Sequence, residues 1–213
     1  MNRSIVIWGA GGHANVVIDA VRCAGQYQVE ALVDDVGAVA APEAHGIRIV
    51  RNLDQLRRIR ADGVDRLHVA IGACAARARI AEQAQALGFA LVELRHPAAI
   101  VSPRAEVAAG AFLAAGSIVG PSARVGTGVI VNTRASVDHD CEVYAWSHIA
   151  PGATLGGRVV VGRETWIGIG ACVREGIRIG ARVMVGAGAV VLRDIPDETV
   201  AYGVPARAIR NGE

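Results

Sequence analysis

The chain has 213 residues, room for one or two domains, and a formal net charge of +2. All 22 of its basic residues are arginine, without a cluster or aromatic interleaving, so no nucleic-acid partner is expected. No apolar run reaches ~18 residues free of turn residues or charges, and no signal peptide opens the chain. Cys23, Cys74, Cys141 and Cys172 form neither a C-x-x-C pair nor a secretory framework, and a reduced, cytoplasmic protein without membrane insertion is expected.

In chain order, residues 4–8 (SIVIW) read as a strand, followed by the run Gly9-Ala10-Gly11-Gly12-His13-Ala14. Apolar residues then recur at helical spacing up to Gly25. Strands are expected at 29–33, 47–50, 66–71 and 90–94, with helices at 53–59 and 75–87. This alternation describes a small Rossmann-like parallel α/β domain over residues 1–96.

The glycine run fits a phosphate-approach turn, with Asp34 twenty residues beyond Ala14 and Asp35 beside it. Glycines let backbone approach a phosphate, a helix amino terminus favours anions, and a carboxylate accepts bonds from a ribose or sugar hydroxyl. A tight strand–helix turn with no ligand is the competing reading. The unit is about half the size of a full dinucleotide-binding domain, so a nucleotide or nucleotide-sugar fits better than NAD. His13 ends the run, where its ring meets either that ligand or solvent.

From Val101 a period of six begins, with branched aliphatics at every sixth position through Val119, Val137, Leu155 and Val173 to Val191. Four residues after each stands a mostly small one, and glycine often follows the aliphatic, where it is expected to tolerate the turn's backbone angles. Neither a helix nor a simple strand has this period; it is the signature of a parallel β-helix with three hexads per coil, over residues 97–213. The 4% aromatic content suits an axis too narrow for rings. Residues 194–206 break the period, and Gly203-Val204-Pro205-Ala206, followed by Arg207, is expected to leave the prism's end as an extended tail.

Only His139 and His148 fall inside the repeat, neither in the inward aliphatic position. An outward imidazole on a rigid prism is a natural general base. Asp138 and Asp140 flank His139, and contact with Asp140 requires a turn at that point. Zinc ligation needs more donors than two histidines nine residues apart, so no metal is expected.

These segments together carry a likeness. GAGGHA (9–14), VAIGA (69–73), HPAAIVSP (96–103), VDHDC (137–141) and GVPAR (203–207), in that order, resemble the bacterial sialic-acid O-acetyltransferase family of hexapeptide acyltransferases. Within it, the chain is most similar to the nucleotide-sugar N-acetyltransferases that act on 4-amino-4,6-dideoxy sugars such as perosamine and bacillosamine intermediates. The resemblance implies a left-handed β-helix, a homotrimer with active sites between adjacent prisms, and acetyl-CoA as cosubstrate. It implies His139 as catalytic base, Asp140 as its acidic neighbour, and Gly157 as a backbone donor to the oxyanion. It places Asn132, His148, Ile169, Gly186 and Ala187 along the coenzyme, and Gly11, Gly12, His13, Asp34, Asp35 and Gly72 on the nucleotide-sugar. The chain departs from the family pattern at Ala73-Cys74-Ala75 and at Arg174-Glu175, which bear on the sugar contacts and the coenzyme groove. An O-acetyltransferase of sialic acid or a related sugar, and a non-catalytic binding or scaffold prism, are the alternative readings.

Overall fold

The computed structural model describes residues 3–37 and 40–209 and divides into two compact units, Met1–Pro97 and Ala98–Glu213. The first is built on six strands: β1 (Arg3–Trp8), β2 (Tyr27–Val33), β3 (Glu43–Ala44), β4 (Ile47–Val50), β5 (Arg66–Val69) and β6 (Ala90–Leu91). Their spatial order is β3-β4-β2-β1-β5-β6, parallel throughout except for the β3–β4 hairpin. Helices α1 (Gly12–Ala24), α2 (Leu53–Ala61) and α3 (Cys74–Ala86) complete the unit. Central β1 is a continuous apolar run because both of its faces are covered; Ile5, Val6, Ile7 and Trp8 are fully buried. Gly25 closes α1 in the left-handed conformation, its N–H donating to the Val21 carbonyl.

Three of the differences from the sequence expectation have a visible local cause. The strand expected over 66–71 stops at Val69, because the Ile71 and Gly72 carbonyls turn to the Arg77 side chain. The strand expected over 90–94 is split into Ala90–Leu91 and Leu94–Arg95, and between them the Val92 carbonyl accepts a hydrogen bond from the buried His68 ring at 3.0 Å. Strand β3 was not expected; His45 and Gly46, both at positive φ, make the tight hairpin turn that creates it.

In the second unit, sixteen two-residue strands recur every six residues, from Ile100–Val101 to Val190–Val191. Val119 pairs with Val101 and Val137, Leu155 with Val137 and Val173, so each coil takes eighteen residues, or three hexads. The coils form a left-handed parallel β-helix. Face A carries Ile130–Val131 and His148–Ile149, face B Ser136–Val137 and Thr154–Leu155, face C Glu142–Val143 and Val160–Val161. The aliphatic row from Val119 to Val191 fills the axis, and Ala123, Ala135, Ala153 and Ala171 line it without exposure. Three polar residues at the small position are satisfied, Ser147 and Thr165 donating to the Gly162 and Gly180 carbonyls at 2.7 Å and Cys141 to Gly156 at 3.2 Å, whereas the buried Ser117 hydroxyl makes no hydrogen bond among the described residues.

The glycines after the aliphatic position have a different reason from the one expected. They do not carry the positive φ; Ser122, Arg158, Glu164 and Arg182, each two residues after such a glycine, do. A Cβ on Gly156 would stand 2.8 Å from the Glu175 nitrogen, and one on Gly162 would crowd the Gly180–Ala181 peptide of the next coil. Close stacking of coils selects glycine there.

The end of the chain also differs from the expected extended tail. Val200–Gly203 adds to face A beside Met184–Val185, and Ala206–Ile209 returns antiparallel to it through a cis Val204–Pro205 bond. Among the described residues no helix is long and apolar enough to cross a membrane.

Candidate functional site

The first unit has a cleft of about 450 Å³ at the carboxyl ends of β1, β2 and β5. It is lined by residues 9–13, 33–36 and 70–72, together with Ala76, Arg79, Ile80 and Gln83 of α3. This brings Gly11, Gly12, His13, Asp34, Asp35 and Gly72 together, at the crevice where open α/β sheets take ligands. Its glycines divide by cause. Gly9, at φ +129°, abuts the β5–α3 turn, where a Cβ would lie 2.6 Å from the Ala70 oxygen. A Cβ on Gly11 or Gly12 would meet nothing within 4 Å, so protein packing does not demand glycine there, whereas a ligand against the backbone would.

Helix starts point the same way. Helix α2, whose residues do not line the cleft, is capped by Asn52, whose side chain accepts the Gln55 N–H at 2.9 Å. Helices α1 and α3 begin at Gly11 and Ala73 without a side-chain cap or an acidic residue in the first turn. The positive ends of both helices are therefore left for an anion. Across the cleft, Asp34 is buried, with Arg51 Nη1 3.5 Å from its Oδ2, and Asp35 accepts the Trp8 indole N–H at 3.3 Å.

Beneath the cleft lies Arg77, which the sequence reading did not single out. It is 1% exposed and donates through Nη1 to the Ile71 and Gly72 carbonyls at 2.8 and 2.7 Å. Burial lowers its pKa from the ordinary guanidinium value, offset in part by Cys74. Arg79 and Gln83 were also missed; with Ala76 and Ile80 they recur at helical spacing on one face of α3, a signal readable only once the cleft is known.

In the second unit His139 stands on the edge between faces B and C. Asp140 adopts φ 57°, the turn its contact requires, and accepts the His139 Nδ1–H at 2.8 Å. The Asp138 carboxylate accepts the His139 backbone N–H at 2.7 Å. Gly157 lies one coil on, and a Cβ there would stand 2.4 Å from His139 Nε2, so the ring lies over the bare backbone of Gly157. The Gly157 N–H makes no hydrogen bond within the described residues. Imidazole, carboxylate and backbone donor thus share one edge.

The other expected coenzyme residues lie elsewhere on the same prism. Asn132, Ile169, Gly186 and Ala187 follow strands of face A and line the edge between faces A and B. His148, outward on face A, is nevertheless buried, its ring packed against Trp166 with centroids 4.1 Å apart and planes tilted by 53°. Asn132 accepts the Thr133 N–H at 2.8 Å through Oδ1, which turns its Nδ2–H to His148 Nε2 at 2.9 Å. Ile169 is 59% exposed. Within one chain, therefore, these residues and His139 occupy two different edges.

Among the described residues one group gathers three metal-ligating side chains: Asp19, Cys23 and His96, their ligand atoms within 4.8 Å of one another. None of them lines the cleft or the His139 edge.

Comparison with known proteins gives the family. Residues 4–84 match the PglD N-terminal domain model and residues 158–193 the bacterial transferase hexapeptide (six repeats) model. A perosamine N-acetyltransferase from Caulobacter crescentus, solved as a histidine-to-asparagine mutant with CoA and GDP-perosamine, matches at TM-score 0.93 and 40% identity, over 98% of this chain and 97% of that one. The acetyltransferase domain of PglB from Neisseria gonorrhoeae, solved with acetyl coenzyme A, matches at TM-score 0.91 and 38% identity, over 98% and 100%. Among curated relatives, the GDP-perosamine N-acetyltransferase of Escherichia coli O157:H7 is 27% identical over 96% of this chain and 95% of its own. The galactoside O-acetyltransferase of Lactococcus lactis is 29% identical over 43% of this chain, which spans about half (54%) of that relative's length. The chain belongs to the N-acetyltransferase family that joins a PglD-type amino-terminal domain to a hexapeptide-repeat β-helix.

Proposed function

We propose that the protein transfers the acetyl group of acetyl-CoA to the 4-amino group of a nucleoside-diphosphate-linked 4-amino-4,6-dideoxy sugar of the perosamine or bacillosamine type. The observation that carries this reading is the His139 edge. Donation of Nδ1–H to Asp140 leaves the Nε2 lone pair as the base, directly over Gly157. As the sugar nitrogen attacks the thioester carbonyl, Nε2 takes its proton. The Gly157 N–H donates to the oxyanion of the tetrahedral intermediate, a contribution of about 3–4 kcal/mol. The intermediate collapses with loss of the CoA thiolate, which recovers the proton from His139. Each step is carried by protein groups, and the mechanism uses no metal.

The nucleotide-sugar reading rests on the first-unit cleft, with Gly11, Gly12, His13 and Gly72 toward the diphosphate and Asp34 and Asp35 toward hydroxyls. Acetyl-CoA lies along Asn132, His148, Ile169, Gly186 and Ala187. Because these occupy a different edge from His139, a working site needs the His139 edge of one prism beside the Asn132 edge of another, and a homotrimer supplies that pairing three times. Both substrates are cytoplasmic metabolites, which sets the expected location. Sugar O-acetylation is disfavoured because the galactoside O-acetyltransferase match covers only part of the chain, whereas N-acetyltransferases match along its length.

The test is CoA thiol release from acetyl-CoA with GDP-, UDP- and dTDP-linked 4-amino-4,6-dideoxy sugars. Wild type is expected to turn over one of them, and His139→Ala to lose about 10²–10⁴-fold in kcat. Release only with hydroxyl acceptors such as sialic acid would replace the amine reading, and turnover unaffected in His139→Ala would remove the base.

A further inference from the structure

The buried Arg77 has no part in the proposed chemistry. Arginine is rarely fully buried unless paired, and an apolar side chain of similar volume fills such a position without the desolvation of a guanidinium. Here one nitrogen of the planar fork bridges two successive carbonyls, Ile71 and Gly72, of the single turn that joins β5 to α3. That turn is itself part of the cleft wall and packs directly on the glycine turn after β1.

The geometry has a consequence for the opposite side of the turn. In a trans peptide the N–H points away from its carbonyl, and the only cis bond among the described residues is at Pro205. With the Ile71 and Gly72 carbonyls drawn down to Arg77, the N–H groups of Gly72 and Ala73 face the other way, where residues 70–72 line the cleft. Ala73 is also where α3 begins, uncapped. Two oriented amides, a helix start and a guanidinium charge behind them are aligned on one spot.

We propose that Arg77 is the positioning residue of the nucleotide cleft, holding the β5–α3 turn so that the Gly72 and Ala73 N–H groups meet a diphosphate oxygen of the nucleotide-sugar. The inference rests on the nucleotide-sugar reading of the cleft. Both bonds come from the single nitrogen Nη1; lysine keeps a charged donor but not the rigid plane that holds that nitrogen between the two carbonyls, and methionine keeps the bulk alone.

The experiment compares wild type, Arg77→Lys and Arg77→Met for binding of GDP, UDP and dTDP by calorimetry, for KM of both substrates, and for melting temperature. A rise of about tenfold or more in nucleotide Kd and in nucleotide-sugar KM is expected in both variants, larger for methionine, with the KM for acetyl-CoA unchanged. Unaltered nucleotide Kd in either folded variant overturns the inference. So does an equal rise in both KM values accompanied by a fall in melting temperature, which marks a merely structural arginine. Should Arg77→Met not fold, Arg77→Lys decides alone. Wild type that binds acetyl-CoA but none of the three nucleotides would instead remove the reading of the cleft, and this inference with it.

Discussion

The His139–Asp140 pair works because two adjacent residues on a strand would point to opposite faces, and Asp140 escapes this by taking the left-handed conformation. That conformation belongs to the repeat, which takes a positive φ at each such corner from Gly110 to Gly188, filled by glycine at some and by Arg134, Trp146 or Arg158 at others. The geometry of the proposed base is thus a use of the prism's own turn. Gly157 completes it by absence: Gly157→Ala places a methyl within 2.4 Å of His139 Nε2 and displaces the ring. Turnover is expected to fall by about 10²-fold or more while melting changes little, since the half-exposed His139 ring can swing outward to make room; kinetics beside calorimetry checks both.

At the scale of elements, the two units draw stability from different sources. The prism depends on its axial column, in which Leu155 is fully buried between Val137 and Val173. Leu155→Ala is expected to cost about 2–5 kcal/mol, read from denaturant unfolding. In the first unit His68 is enclosed beside β1, and burial depresses its pKa from 6.5 to about 4, with the Val92 carbonyl opposing and Arg77 adding to the shift. The folded state therefore holds this ring neutral, and the unfolded chain binds the extra proton between those values. Stability from His68 is complete above about pH 6.5 and is lost as pH falls toward 4, by about 3 kcal/mol in all. His68→Gln should flatten that slope in urea titrations run from pH 7 to 4.

For the whole molecule, the separation of the His139 edge from the Asn132–His148 edge has a direct test. His139→Ala and Asn132→Ala chains, each inactive alone, are expected to recover activity when unfolded together and refolded. Each mixed trimer then holds about one site with both wild-type edges. No recovery in mixed trimers would mean that a single chain supplies both edges, and a monomer by light scattering would remove the shared site altogether.

Much of this was legible in the sequence for a physical reason. A period of six with an unbroken aliphatic column has one compact solution, so strand spacing, coil count and the inward row follow from residue order alone. The α/β alternation and the turn at residues 9–14 were equally local, carried by glycines and apolar runs. What needed the tertiary structure was whatever depends on neighbours eighteen residues away or across a sheet. The glycines after each aliphatic look like turn formers in sequence, yet it is the next coil's backbone that excludes a side chain there. The end of the chain has no period to announce that it returns as a hairpin on face A. Arg77 reads as one arginine among many in an alanine-rich helix, and only the fold places its guanidinium under the Ile71–Gly72 turn. The sequence determined which side chains project from the prism; only three-dimensional stacking decided that His139 and Gly157 share one edge while Asn132 and His148 take another.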